Sequence, residues 1–211
     1  ARFLVVDSAA DACAGQVATL LQADWHDFEV LADFARRCDV VTFDFENAPA
    51  DTAQWLSERT HVFPNARALA VAQDRHAEKS LFRELGLETA PFATVDTRDD
   101  LVRALEAIGY PAVLKTRRLG YDGKGQFRLK SASDLDPAWD ALGGVPLILE
   151  AWVAFDREVS VVAVRSRTGE LRTYPLVQNW HAEGILSATL APALDADELN
   201  AAAQRYAGAI G

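Results

Sequence analysis

The sequence predicts an α/β protein in three successive parts: a parallel α/β unit over residues 1–74, a compact lid over residues 75–154 and the start of a further domain over residues 155–211. Three observations carry that reading. In the first part short apolar runs alternate with helical patterns, the rhythm of a parallel sheet with crossover helices. In the second, strands and helices alternate between well-marked caps. After Ala154 the pattern turns strand-rich, with turn residues between strands, as in an antiparallel meander.

In chain order, Phe3 to Val6 reads as a strand, Asp27 to Arg37 as a helix, Val40 to Phe45 as a strand, Thr52 to Glu58 as a helix and His61 to Phe63 as a strand. From Asn65 to Leu85 the pattern is helical and bridges two parts. Ala77, Leu81 and Leu85 form its core stripe, and Gly86 is placed to stop the second helix in a left-handed cap. Phe92 to Val95 is a strand. Thr97 then caps a helix with Asp100 at its third position, Leu101, Leu105 and Ile108 face inward, and Gly109 ends it before Pro111. Ala112 to Thr116, Gln126 to Lys130 and Leu147 to Trp152 are strands, with a short helix from Ser133 to Leu142. Beyond Ala154, Glu158 to Arg165 turns through Thr168-Gly169 into Leu171 to Leu176, and Ile185 to Leu190 follows. Asp195 and Glu198 make an acidic capping box, with Leu194 and Leu199 as a hydrophobic staple, for a last helix.

Half of the 211 residues are apolar, enough to bury one or two cores without disulfides or metals. The charges, 21 basic against 31 acidic, leave a net −10, so no general basic field exists to hold DNA or RNA and any phosphate site is local. Cys13 and Cys38 stand far apart without metal-ligand spacing and read as reduced thiols. No run approaches the roughly eighteen apolar residues of a membrane span, and the opening residues do not form a signal peptide, so a soluble cytoplasmic protein is expected. The lack of methionine, and a chain that opens on a strand and stops within a helix, lead to the expectation that both ends are missing.

The strongest chemical signal is Gly120-Tyr121-Asp122-Gly123-Lys124-Gly125-Gln126, three glycines in seven residues after a strand that carries Lys115. Glycine lets backbone N–H groups approach an anion closely. No Gly-Lys-Ser/Thr closes the loop and a strand follows it, so it is neither a P-loop nor a dinucleotide fingerprint but a hairpin flap, with a plain flexible turn as the competing reading. Lys115 shares a strand face with Val113 and lies five residues before the flap, so an anionic partner fits it better than solvent alone. Arg75 and Lys79 lie four apart on one helical face; an anion between them, or a solvated face balanced by Glu78 and Glu84, explains them equally. Glu150 and Glu158 sit where apolar strands meet an open edge, placements that suit ribose hydroxyls, an adenine amine or a metal, and also plain solvation. His181 fits a surface role as readily as a site. No nucleophile pair or Cys/His cluster is legible, so the chemistry rests on positioning and electrostatics around phosphates.

Taken in order, Gln73-Asp-Arg-x-x-x-Lys79, Tyr110-Pro-Ala-Val-Leu-Lys115, the glycine flap, Leu149-Glu150, Phe155-Asp-Arg-Glu-Val-Ser160 and Tyr174-Pro-Leu-Val-Gln-Asn179 resemble the successive motifs of the 5-(carboxyamino)imidazole ribonucleotide synthases, of the ATP-grasp superfamily. Thr42-Phe-Asp-Phe-Glu-Asn47 and His181-x-x-Gly184-Ile-Leu extend the likeness over nearly the whole chain. The resemblance implies a pre-ATP-grasp domain, an ATP-grasp lid and a truncated C-terminal ATP-grasp domain, with ATP and Mg²⁺ as cofactors. It assigns to ATP Arg75, Lys115, the flap from Gly120 through Tyr121, Asp122, Gly123, Lys124 and Gly125 to Gln126, the segment Glu150, Ala151, Trp152 and Val153, and Glu158 and His181. Lys115 would meet the α- and β-phosphates, Glu150 and its following backbone the adenine, and Glu158 the ribose. Tyr121, Asp122 and Lys124, with Glu46, would face 5-aminoimidazole ribonucleotide; together with Lys115 the first three are the catalytic set.

By the same resemblance bicarbonate attacks the γ-phosphate to give carboxyphosphate, whose activated carboxyl or released CO₂ the ribonucleotide's exocyclic amine captures. A homodimer is implied, with no nucleic-acid or membrane partner. A glycine-rich turn before the Arg2–Asp7 strand and the Mg²⁺-binding acidic residues, placed after Gly211, depart from the family's pattern by their absence, so no metal ligand is expected within this chain and no turnover by it alone. Another ATP-grasp carboxylase, such as a relative of biotin carboxylase, and a non-catalytic nucleotide-binding module are the alternatives.

Overall fold

The structure, a computed structural model, describes residues 2–120, 124–182 and 184–210. The chain divides into two compact units, Ala1–Asp74 and Arg75–Gly211.

In the first unit β1 (Leu4–Asp7) runs parallel to β2 (Thr19–Gln22), and β3 (Val40–Val41) parallel to β4 (His61–Val62), as two separate pairs. The helices are α1 (Phe28–Arg37), α2 (Ala50–Ser57) and α3 (Ala66–Ala72). Asp27 caps α1 by accepting from the Val30 N–H at 3.1 Å, and Asn65 caps α3 by accepting from the Ala68 N–H at 2.8 Å. Leu31, Phe34, Ala35, Val41, Leu56 and Val62 form the core. The strand expected over Val40–Phe45 keeps only its first two residues, because a turn in which the Ala48 N–H donates to the Phe45 carbonyl bends the chain away. β2 is an addition: its few residues lack the flanking turn signals that mark a strand in sequence.

The second unit opens with α4 (Arg75–Glu84), followed by β5 (Phe92–Val95), α5 (Arg98–Ile108), β6 (Ala112–Thr116), β7 (Gln126–Leu129), α6 (Leu135–Leu142) and β8 (Leu147–Ala151). The four strands form an antiparallel sheet in the order β5-β8-β6-β7. Thr97 and Asp100 close the expected capping box on α5, and Gly109 ends that helix at φ 83°. Side chains alternate across a strand. Ala112 and Leu114 of β6 and Leu147 and Leu149 of β8 therefore share one face, where they meet Leu101, Ala104, Leu105 and Ala138 from α5 and α6 in a closed core. The register sets Val113 opposite Glu150 and Lys115 opposite Ile148 on the other face. The α4 stripe is less buried than its pattern predicts: none of the helix's residues is buried, and Leu85 is exposed.

The remainder is built of β9 (Glu158–Ser160), β10 (Ala163–Arg165), β11 (Leu171–Thr173), β12 (Val177–Ala182), β13 (Ile185–Leu190) and α7 (Asp197–Ile210). β13-β12-β9 form one antiparallel sheet and β10-β11 a second, so the strand expected from Glu158 to Arg165 is divided between two sheets. β12 was not legible as a strand because its polar residues mask the alternation. The capping box expected at Asp195 does not form. Asp195 adopts φ 47°, its carbonyl and that of Leu194 accept from the Arg157 guanidinium at 2.9 and 2.8 Å, and the first helical hydrogen bond runs from the Asn200 N–H to the Ala196 carbonyl. Leu194, 64% exposed, makes no staple.

These placements predict a contrast. Leu114→Ala, which empties a fully buried position, is expected to lower unfolding stability by about 2–5 kcal/mol, and Leu194→Ala to change it by less than about 0.5 kcal/mol. Denaturant titration of both variants checks it.

Candidate functional site

The open face of the β5-β8-β6-β7 sheet carries the site, and α4 lies on it. The Arg83 guanidinium of α4 stacks 3.7 Å from the centroid of Phe92, which stands opposite Glu150 in the sheet, and His76 meets the same ring edge-on. The helical face that reads in sequence as polar and solvated is therefore the face turned to the sheet. At its centre one oxygen of Glu150, Oε2, accepts from the Lys115 ammonium at 2.9 Å and pairs with the Lys79 ammonium at 3.3 Å. The Glu150 side chain is only 8% exposed and the two lysines 22% and 19%. Its other oxygen, Oε1, is buried without a hydrogen-bond partner. A buried carboxylate oxygen left so is costly unless it meets a donor.

Lys115 leads into the glycine turn. The Thr116 N–H donates to the Gly125 carbonyl at 2.8 Å, the Arg117 N–H to the Pro146 carbonyl at 3.1 Å, and Gln126 stands opposite Lys115 at the start of β7. Leu119, at φ 61°, strains the turn in the left-handed region. Arg75 closes on it: its N–H donates to the Arg117 carbonyl at 3.0 Å and its Nη2 lies 3.4 Å from the Gly120 carbonyl. A Cβ on Gly120 would crowd Thr116 Oγ1 at 3.2 Å and Arg75 Nη2 at 3.3 Å. Gly125 has φ 68°, and a Cβ there would stand 2.6 Å from Thr116 Oγ1, so only glycine fits.

Beyond β8 the N–H groups of Ala151 and Trp152 donate to the carbonyls of Pro91 and Pro111 at 2.9 and 3.1 Å, so neither amide is available to a ligand. The Trp152 ring carries Arg128 at 3.8 Å from its centroid, and Val153 is exposed. A second cluster stands on the β13-β12-β9 sheet. Glu158 Oε1 lies 3.5 Å from His181 Nδ1 and accepts from Asn179 Nδ2 at 3.3 Å; Asn179 also donates to Ser160 Oγ at 3.0 Å and accepts from Thr189 Oγ1 at 3.0 Å.

Of the residues expected in the site, the structure brings together Lys115 with Glu150, Arg75 with Gly120, and Glu158 with His181. Glu46 is exposed in a loop of the first unit, whose backbone is tied by the Gln73 side-chain amide to the Glu46 carbonyl at 2.8 Å and the Ala48 carbonyl at 2.6 Å. Tyr121, Asp122 and Gly123 lie outside the described residues, and Lys124 is described beside them. Lys79 and Asn179 are the additions. The four-residue spacing from Arg75 was the signal for Lys79, whereas Asn179 carries no signal without the strand that positions it. Glu78, beside Lys79, has its carboxyl held above the usual range by burial; Lys79 and Arg75 pull it down, and the charge of Glu150 pushes it up. Among the described residues no group of three or more His, Cys, Asp or Glu side chains gathers to hold a metal.

Two family models match the chain: an ATP-grasp domain over residues 80–211 and a ribonucleotide synthetase preATP-grasp domain over residues 1–73. The N5-carboxyaminoimidazole ribonucleotide synthase of Pseudomonas aeruginosa is 49% identical over 208 residues, 99% of this chain and 57% of that protein. The crystal structure of N5-carboxyaminoimidazole ribonucleotide synthetase from Thermus thermophilus matches with a TM-score of 0.91 at 45% identity, over 99% of this chain and 57% of that one. The N5-carboxyaminoimidazole synthetase from Staphylococcus aureus complexed with ADP matches with a TM-score of 0.91 at 30% identity, over 98% and 56%. The chain thus spans about half the length of the curated relatives it matches.

Two outcomes follow from the local geometry. Gly125→Ala is expected to lose about 1–2 kcal/mol of stability from the left-handed backbone alone, read by denaturant titration. Glu78 binds its proton more tightly folded than unfolded, so its contribution to stability is greatest below the unfolded pKa and is lost as pH rises through the folded one. Glu78→Gln, fixed in the uncharged form, is expected to melt above the parent protein at pH 7, with the gap closing as pH falls toward about 4; thermal melts across that range measure it.

Proposed function

The chain belongs to the ATP-grasp family, and on that premise we propose that it supplies the nucleotide-binding part of an enzyme that carboxylates the exocyclic amine of 5-aminoimidazole ribonucleotide with ATP and bicarbonate, a step of purine biosynthesis. The single observation that carries the reading is Glu150: a buried carboxylate with both lysines on one oxygen and no partner on the other. Oε1 is an acceptor of the kind an adenine amine satisfies. Lys115 holds the other oxygen, Oε2, and directly precedes the glycine turn in the chain, a position from which it is proposed to serve the α- and β-phosphates while Arg75 braces the turn. Glu158, steadied by Asn179 beside His181, offers a carboxylate to the ribose hydroxyls.

In this reading residues 75–154 are the lid and residues 155–211 open the C-terminal domain of the fold. Bicarbonate attacks the γ-phosphate and displaces ADP to give carboxyphosphate, whose carboxyl group, directly or as released CO₂, passes to the ribonucleotide's amine as inorganic phosphate leaves and the amine loses a proton. The chain's own part is to bind, orient and exclude water: the cations and the turn's backbone hold charge that develops on phosphate oxygens, and the lid shields an activated carboxyl from hydrolysis. Tyr121, Asp122 and Lys124, with Glu46, are proposed to face the ribonucleotide. Mg²⁺ enters as the phosphates' counter-ion; the described residues offer it no acidic cluster, and no step here runs through it. The same reading carries a homodimer and a cytoplasmic location. No helix among the described residues is long and apolar enough to cross a membrane.

The test is ADP release by the whole gene product with Mg²⁺, ATP and bicarbonate, with and without the ribonucleotide. A strong rise on adding it is expected; ATP binding with no rise would overturn the acceptor. Lys115→Met is expected to weaken ADP binding about 10- to 150-fold, the scale of a lost hydrogen bond to a charged group, as titration calorimetry would show.

A further inference from the structure

Two ammoniums on one carboxylate oxygen is an uneven arrangement. Glu150 Oε2 serves both Lys115 and Lys79 while Oε1 has no partner among the described residues, and the Glu150 side chain is buried at 8% exposure. The two lysines come from different elements. Lys115 is on β6, whose last residue, Thr116, donates its N–H to the Gly125 carbonyl at the end of the glycine turn, so its ammonium bonds the carboxylate from the strand that leads into that turn. Lys79 is on α4, at a position fixed against the sheet by Arg83 on Phe92 and by Arg75 on the turn. If Lys115 alone neutralised Glu150, any move toward an anion in the turn would strand a buried charge, which is strongly disfavoured.

We propose that Lys79 is a positioning residue: it stays on Glu150 when Lys115 shifts to the nucleotide's phosphates, and so lets one lysine serve the base end and the phosphate end of the site in turn. The inference rests on the nucleotide reading above. It gives Lys79 no contact with the nucleotide, and its effect on binding runs wholly through the charge of Glu150. Once that charge is removed, Lys79 has no buried charge on the sheet to neutralise.

The experiment is a double-mutant cycle on ADP affinity, measured by titration calorimetry on the whole gene product for the parent, Lys79→Met, Glu150→Gln and the double variant. Lys79→Met is expected to weaken ADP about tenfold or more in the parent background and by less than about twofold in the Glu150→Gln background. Lys79→Arg, which keeps the cation, is expected to bind ADP within about threefold of the parent, and it tests the inference should the Met variant fail to fold. An equal loss in both backgrounds would overturn the inference, because Lys79 would then touch the nucleotide itself or act through the fold at large. No loss from either substitution, or loss from Lys79→Arg as large as from Lys79→Met, would also overturn it. Failure of the parent protein to bind ADP at all would remove the nucleotide reading and this inference with it.

Discussion

A carboxylate held away from water is the constraint around which the second unit is arranged. β8 carries Leu147 and Leu149 into the closed core on one face and Ile148 and Glu150 onto the other. Such a group needs cations and hydrogen bonds at close range, or its burial costs more than the fold can spare. One cation comes from the neighbouring strand as Lys115 and the other from α4 as Lys79. α4 has no buried apolar residue of its own, so ion pairing and ring stacking hold it where an ordinary amphipathic helix would use a hydrophobic stripe.

The same device recurs in a milder form on the second small sheet. Glu158 is held by Asn179 from the adjacent strand and by His181 two residues further along. There the acid is half exposed and its neighbours are neutral or weakly basic, so the arrangement orients more than it neutralises. In the β5-β8-β6-β7 sheet a strand register, fixed by apolar residues on one face, decides where an acid on the opposite face finds its partners. A shift of one residue would reverse the faces.

Much of this was legible in sequence because local rules and tertiary needs agree. The capping box at Thr97, the glycine ends at Gly86 and Gly109, and the alternation through Ala112–Thr116 each depend on nearby residues, and each stands in the structure. The place of Lys115 on β6, one residue before the strand ends, was legible for the same reason. What was not legible depends on partners distant in the chain. Arg157 takes the carbonyls of Leu194 and Asp195 and moves the helix start past the apparent capping box. Asn179 matters only once β12 is paired on both sides. The reading of Lys79 stayed divided between an anion site and a solvated face because the carboxylate it serves lies 71 residues away, opposite Phe92 on the face of the sheet that α4 covers.

α4 also joins two parts of the site that look independent. Arg75 touches the glycine turn and Lys79 touches Glu150, one helical turn or about 6 Å further along. A short, stiff helix transmits position between its neighbouring side chains with little loss, so Arg75 at the turn and Lys79 at Glu150 are held by one element. Any movement of the turn that carries Arg75 with it must tilt or slide the helix that braces Glu150. The glycine turn and the buried carboxylate are therefore both tied to one helix. In a chain whose net charge is −10, Arg75, Lys79 and Lys115 gather at Glu150 and the turn that follows β6, so cations are placed locally where the molecule as a whole is acidic.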